Sequence, residues 1–290
     1  MKIPISLAIF TAIILGLIFP KGTLIKDLFF PLSFILMYIN VLELKLNLKH
    51  FLRKEIFFWG IINILILPIF AYFIGSFLSE YFWIGTVMAA LAPAAMNSPV
   101  FVNLIEGDKE LSVSISTIAN LSTIFYVPIL VFILFGMKLS IPYDQIIINT
   151  LGLIFIPIIL AILTRKITKE KHIKMANISK EAVPILLAVL LWIIFSNSAS
   201  QIWSSLNEIV ILIPFIFLIS AVGFLLGYFC VKKTSTKRTL TIACGYKNQA
   251  LMLGIIYGLN PLISIPIVIY ILAHQIYNSI IIFLFEKNKI

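Results

Sequence analysis

The sequence predicts an all-α integral membrane protein of ten transmembrane helices, built as two inverted five-helix repeats. Composition is the first reason. Of 290 residues, 61% are hydrophobic and 12% charged, and the mean hydropathy is +1.10. A soluble domain of this size keeps roughly a quarter of its residues charged. The second reason is that the apolar runs divide into ten segments near the ~20 residues that span hydrocarbon. The third is that Lys and Arg gather in alternate loops, as cytoplasmic loops do.

The spans are expected at residues 3–19, 28–44, 56–78, 82–105, 111–135, 146–163, 183–195, 209–231, 240–259 and 262–285. Those at 82–105 and 240–259 are interrupted, and 183–195 is the shortest. Short loops leave no room for a sizeable soluble domain. The first apolar run reads as a span and not as a signal peptide. It lacks a small-residue cleavage pattern, and Phe19, Pro20 and Lys21 follow it directly.

With ten spans, one side of the membrane holds Lys2, then Lys45, Lys49, Arg53 and Lys54, then Lys109. It also holds Arg165, Lys166, Lys169, Lys171, Lys174 and Lys180, then Lys232, Lys233, Lys237 and Arg238, and finally Lys287 and Lys289. That is 18 of the 22 basic residues; the other side holds Lys21, Lys26 and Lys138. Both termini are therefore expected in the cytoplasm of a multi-pass plasma-membrane protein. The net charge of +10 is a topology signal and not a nucleic-acid footprint, because the charges form no stripe with interleaved aromatics. The lipid bilayer is the expected partner, and nucleic acid is not. Cys230 and Cys244 lie in or beside apolar runs, without the spacing of a metal pair or a disulfide framework. They read as packing residues.

Five spans followed by five place the halves, residues 1–140 and 141–290, in opposite orientation. Many secondary transporters are built this way. Pro68 and Pro214 fall in the third and eighth spans, about half a chain apart. So do two breaks: Ala94, Ala95, Met96, Asn97, Ser98 and Pro99 in the fourth span, and Cys244, Gly245, Tyr246, Lys247, Asn248 and Gln249 in the ninth. Lipid offers no partner to backbone groups freed from a helix, so a break persists where it is buried in protein or lines a cavity. Matched breaks mark a midplane binding site. Ordinary Pro and Gly kinks are the plain alternative.

Lys247 is the basic residue left inside a span. A charge near the bilayer centre costs at least ~2.5 kcal/mol on insertion scales. All twelve Asp and Glu lie at span ends or in loops, so no intramembrane carboxylate is at hand. Four readings follow. Lys247 could sit against amides and carbonyls such as Asn63 and Asn97 as a fixed cation. It could be neutral and exchange a proton during transport. It could attract an anionic solute, or it could snorkel to the interface. Ser112, Ser116 and Asn120 share one helical face, as a solute or ion site requires, or as a tight helix seam does. His274 lies mid-span and could relay protons or serve as a satisfied core residue. No phosphate loop, nucleophile elbow, paired carboxylate or His-rich metal motif is present. An enzyme is not expected, and neither is a metal or organic cofactor.

At this point the residues resemble the bile acid:sodium symporter superfamily, over nearly the whole chain. The resemblance rests on Ile35, Leu36, Met37 and Tyr38 through Leu44, Lys45 and Leu46; on Leu67, Pro68, Ile69, Phe70, Ala71 and Tyr72; on Ala92 and Pro93 through Ser98, with Glu106, Gly107, Asp108, Leu111, Ser112 and Val113; and on Arg238, Thr239, Leu240, Thr241, Ile242, Gly245 and Asn248. The related auxin efflux carriers share the crossed-helix fold, but the order of the break motifs and the expected cytoplasmic N-terminus fit the symporters better.

The resemblance implies a panel domain from spans 1, 2, 6 and 7 and a core domain from the others. Broken spans 4 and 9 would cross in the core, with solute bound at the crossing. It implies a sodium site from a Ser-Asn pair at the first break plus hydroxyls on span 5. The matching positions here are Ser98 and Pro99, with Ser112 and Ser116. It implies a Glu-x-Gly-x-Gln-Asn pattern at the second break. Here Ala243 stands for the glutamate and Lys247 for the glutamine, and Asn63 stands for a span-3 glutamine. Sodium favours hard oxygen ligands, and an ammonium group nearby repels it.

The expectation is a secondary transporter of a small organic anion, monomer or homodimer, working by alternating access. Its expected site is Asn63, Asn97, Ser98, Ser112, Ser116, Asn120, Lys247, Asn248 and Gln249, with Lys247 and His274 as the proton-relay candidates. Coupling would be to protons or absent. A sodium symporter with ligands elsewhere and a non-transporting receptor are the alternatives.

Overall fold

The computed structural model describes residues 5–42, 53–136, 141–168 and 182–286. The basic residues Lys2, Lys45, Lys49, Lys138, Lys169, Lys171, Lys174, Lys180, Lys287 and Lys289 lie outside them, and so does the family-like stretch Leu44, Lys45 and Leu46. Among the described residues the chain is helical. The elements are α1 (Ile5–Ile18), a 3-10 segment (Pro20–Leu28), α2 (Phe29–Leu42), α3 (Lys54–Gly75), α4 (Glu80–Leu91), α5 (Ser98–Leu104), α6 (Lys109–Phe135), α7 (Tyr143–Thr168), α8 (Val183–Ser204), α9 (Leu206–Phe229), α10 (Thr234–Gly245), α11 (Gln249–Ile255), a 3-10 turn (Pro261–Ile263) and α12 (Ser264–Glu286).

Among the described residues seven helical stretches are long and apolar enough to cross a membrane. Five of them are α3, α6, α7, α8 and α9; the others join the 3-10 segment to α2 and the 3-10 turn to α12. α1 is described over 14 residues. The interrupted spans are two pairs of shorter helices. In each pair a 12-residue helix precedes a 7-residue one.

Local chemistry sets these boundaries. Asp108 caps α6, accepting from Leu111 N at 3.0 Å, and Asn248 caps α11, accepting from Leu251 N at 3.2 Å. Gly136, at φ 55°, ends α6 in a conformation that favours glycine. Ahead of Pro68, which cannot donate a backbone hydrogen, residues Ile61–Ile66 widen into a π turn that carries Asn63. α8 runs to Ser204 and not to residue 195. The polar run after Phe195 looks like a span end in sequence but lies inside the helix. There Ser198 Oγ donates to Ile194 O at 2.8 Å, and Ser196 Oγ accepts from Gly22 N at 3.2 Å.

The helices pack as two groups. α1 lies along α8 and α2 along α7, while α3, α4, α9, α10 and α12 pack on one another with α5 and α6. The α9–α10 approach is close. A Cβ on Gly227 would stand 2.3 Å from Leu240 O, and one on Gly245 would stand 2.2 Å from the Phe224 ring. Small residues allow such backbone approach where lipid gives helices no hydrophobic drive to associate. Large apolar side chains such as Phe57, Phe73, Ile133, Val210 and Phe229 point outward, as suits a hydrocarbon solvent.

Candidate functional site

α4 stops at Leu91 because Pro93 follows and Ala92 turns extended, at φ −56°, ψ 136°. α10 stops at Gly245, and Tyr246 is likewise extended, at φ −92°, ψ 105°. The two extended pieces meet antiparallel in an isolated bridge between Ala94 and Lys247. Ala95 N donates to Tyr246 O at 3.0 Å, and Asn248 N donates to Pro93 O at 2.7 Å. These bonds take up backbone groups that the breaks release from their helices.

The Lys247 side chain completes the joint. Its Nζ donates to Ala90 O at 2.7 Å, Ala92 O at 3.2 Å and Asn63 Oδ1 at 2.8 Å. An ammonium has three hydrogens, and here three oxygens receive them. Two of those oxygens are carbonyls at or just beyond the C-terminal end of α4, the negative end of its dipole. Lys247 is 1% exposed, so the snorkelling reading fails: the head group is turned into the protein. Among the described residues no carboxylate bonds to it.

Asn120 links the two breaks. Its Nδ2 donates to Ala94 O at 2.8 Å and Ser116 O at 2.7 Å, and its Oδ1 accepts from Asn248 Nδ2 at 2.7 Å. Gln249 Nε2 donates to Ala89 O at 2.9 Å, while its buried Oε1 has no partner. Asn63 Nδ2 donates to Trp59 O at 3.1 Å, and Trp59 Nε1 donates to Ala243 O at 3.1 Å. α3 is thereby fixed against the second break.

The other expected residues lie around this centre. The Ser98 and Ser112 hydroxyls are 3.1 Å apart, and Ser116 Oγ donates to Val113 O at 3.1 Å. Asn97 does not reach Lys247; its Nδ2 donates to the Tyr246 hydroxyl at 3.1 Å. His274 lies beside the Lys247 backbone, where Nδ1 accepts from Lys247 N at 3.4 Å. A proton on Nδ1 would face that N–H, so this contact holds the imidazole as the Nε2–H tautomer. Sequence reasoning did not find Ala89, Ala90 and Ala92. They act through backbone oxygens, which leave no side-chain signature.

Outside the crossing, Arg53 Nη1 donates to Asp108 Oδ2 at 2.7 Å. Asp108 N donates to Thr239 Oγ1 at 2.7 Å, which ties the start of α6 to α10. Burial alone would raise the Asp108 carboxyl, but the Leu111 N–H and the Arg53 guanidinium hold it below the ordinary carboxylate value. A cavity of about 310 Å³ lies between α2, α8, α11 and α12.

The profile of the sodium bile acid symporter family matches residues 28–208, more than half of the chain. The chain belongs to this family. A chloroplastic protein of Oryza sativa subsp. japonica, described as a probable sodium/metabolite cotransporter, is 26% identical over 188 residues. Those residues cover 63% of this chain and 44% of that protein, so the chain spans less than half of the rice relative. An uncharacterized sodium-dependent transporter of Bacillus subtilis (strain 168) is 21% identical over 249 residues, 81% of this chain and 75% of that one. Together with the apolar helices, family membership makes this a multi-pass membrane protein.

Proposed function

We propose that this protein carries a small organic anion across the plasma membrane by alternating access, and that the Lys247 ammonium takes the place of a sodium ion. The observation that carries this reading is the set of three oxygens on Nζ. Amide and carbonyl oxygens are what a hard cation binds, and here a tethered cation fills them. Coupling is then to protons, or absent. A neutral amine has one donor fewer and leaves one of the three oxygens without a hydrogen. Protonation therefore favours the crossing as it stands, and proton release loosens it. His274 is a relay candidate only through its Nε2 face.

In the same reading the chain spans the membrane ten times, counting α1, the α4–α5 pair and the α10–α11 pair with the seven long stretches. The halves 1–140 and 141–290 form inverted repeats, which the matching 12- and 7-residue helix pairs support. The α1, α2, α7 and α8 group is the panel and the other group the core. Solute binds at the crossing, near Asn63, Asn97, Ser98, Ser112, Ser116, Asn120, Lys247, Asn248 and Gln249. Both termini are cytoplasmic, and the protein works as a monomer or homodimer.

The test is uptake of organic anions by purified protein in liposomes, with sodium and pH gradients imposed separately, for wild type and Lys247→Gln. Flux driven by pH and lost in the variant supports the reading. A second reading, sodium coupling, is favoured by what the two relatives are called and by the Ser98–Ser112 hydroxyl pair. Sodium-driven flux in the wild type would select it.

A further inference from the structure

α11 is seven residues long and follows directly on Lys247 and Asn248. Its far end is where the two helix groups share polar contacts. Asn149 of α7, 2% exposed, uses both amide hydrogens there, donating to Ile255 O at 3.0 Å and Tyr257 O at 2.7 Å. Its Oδ1 accepts from Gln145 Nε2 at 2.8 Å, which fixes the orientation of the amide. The Tyr257 hydroxyl donates to Lys26 O at 2.8 Å, and its ring stacks on Phe29 at 4.5 Å and 12°. Apart from bonds beside the two chain crossovers near Gly136 and Ser205, these are the described hydrogen bonds that join the groups. The rest of the seam is largely apolar, with Met37, Leu153 and Ile154 beside Leu251.

The seam differs on the two sides of this tie. Toward Tyr257 it opens into the cavity of about 310 Å³, where Phe29, Ser198 and Asn260 form part of the wall. Toward Thr117 it is shut, down to two voids of about 20 Å³ and 10 Å³ that share Val41, Thr117, Leu121 and Ile158. The Thr117 hydroxyl is buried there without a partner, as expected of a surface pressed closed.

We propose that Asn149 is a latch. From α7 it caps the last carbonyl of α11 and one just beyond it, and so holds the Lys247-bearing break against the opposite helix group, with one end of the seam open and the other sealed. Releasing it lets the seam rock. Asn149 is thus a positioning residue for transport; this role rests on the transport reading, but its test does not need a substrate.

The test uses full-length protein in detergent, in a Cys230→Ser, Cys244→Ala background. One reporter cysteine is placed at Asn197, half-buried on the cavity wall, and another at Thr117, 1% exposed in the sealed half, and N-ethylmaleimide labelling rates are followed by mass spectrometry. Loss of both amide donors in Asn149→Leu slows labelling at 197 and speeds it at 117, each by about tenfold, the effect of one to two net hydrogen bonds. Asn149→Ser, which can donate one bond, falls between. A merely structural role would raise both rates together. Both rates rising in both variants, or neither moving, overturns the latch. Absence of solute flux would instead count against the proposed transport activity and leave these labelling rates to be judged alone.

Discussion

The breaks at residues 92–97 and 246–248 cross at one point, yet apart from the two bonds by which Ala95 N and Asn97 Nδ2 donate to Tyr246 they contribute opposite chemistry. The first supplies acceptors, the oxygens of Pro93, Ala94 and Ala92, with Ala89 and Ala90 just before it. The second and its flank supply donors, from the Lys247 ammonium and the Asn248 and Gln249 amides. Alanines and prolines suffice on one side because the backbone does the work there. Specific side chains are needed on the other. Two breaks that look equivalent by position are therefore unequal in what a substitution can do to them.

The largest effect is expected from the donor side. Lys247→Met leaves Ala90 O, Ala92 O and Asn63 Oδ1 buried without their shared donor. At ~1–3 kcal/mol for each unsatisfied group, unfolding in detergent should come earlier by about 3 kcal/mol or more. Substituting Ala90 by Ser, with its carbonyl intact, should cost far less, and equal losses at the two sites would erase the asymmetry. Next comes Gly245→Ala, whose Cβ would meet Phe224 at 2.2 Å. It should cost about 1–3 kcal/mol by overpacking, and part of that should return in the double variant with Phe224→Leu.

A smaller effect is expected where the two halves are tied outside the crossing. Asp108 is held below its ordinary value in the fold. Its contribution is therefore complete above the unfolded carboxylate value and is lost as pH falls through the folded one. Unfolding midpoints taken from pH 6 to 3 should fall less steeply for Asp108→Asn than for wild type, with a neutral-pH cost of about 1 kcal/mol for the cap and ion pair. An identical pH slope would remove Asp108 from the account. The smallest effect belongs to Asn97→Ala. This exposed residue of the acceptor break makes one described bond, to the Tyr246 hydroxyl, and should cost under about 1 kcal/mol.

Much of the crossing is legible in the sequence because it violates the pattern around it. Pro93, Gly245 and a lysine inside apolar runs contradict a plain hydrocarbon span, and the contradiction marks the place. Lys247 is nameable for that reason, and Asn63 only as a polar side chain of the third span and through the family resemblance. The carbonyls that receive the ammonium are not, since every residue has one and only the break exposes them. Asn149 is one polar residue near the start of a long apolar helix, and its meaning depends on the end of α11, more than a hundred positions away. The extent of α8 was misread because serines that bond within a helix look the same in sequence as serines in a loop.

The bridge between Ala94 and Lys247 is made of main chain alone. No point substitution other than proline can delete its hydrogen bonds. The joint is a hinge pin whose own hydrogen bonds do not depend on which side chains it carries. The side chains around it can be exchanged while the two broken helices stay joined through their main chains. One scaffold can in this way keep its shape while the side chains around the pin change.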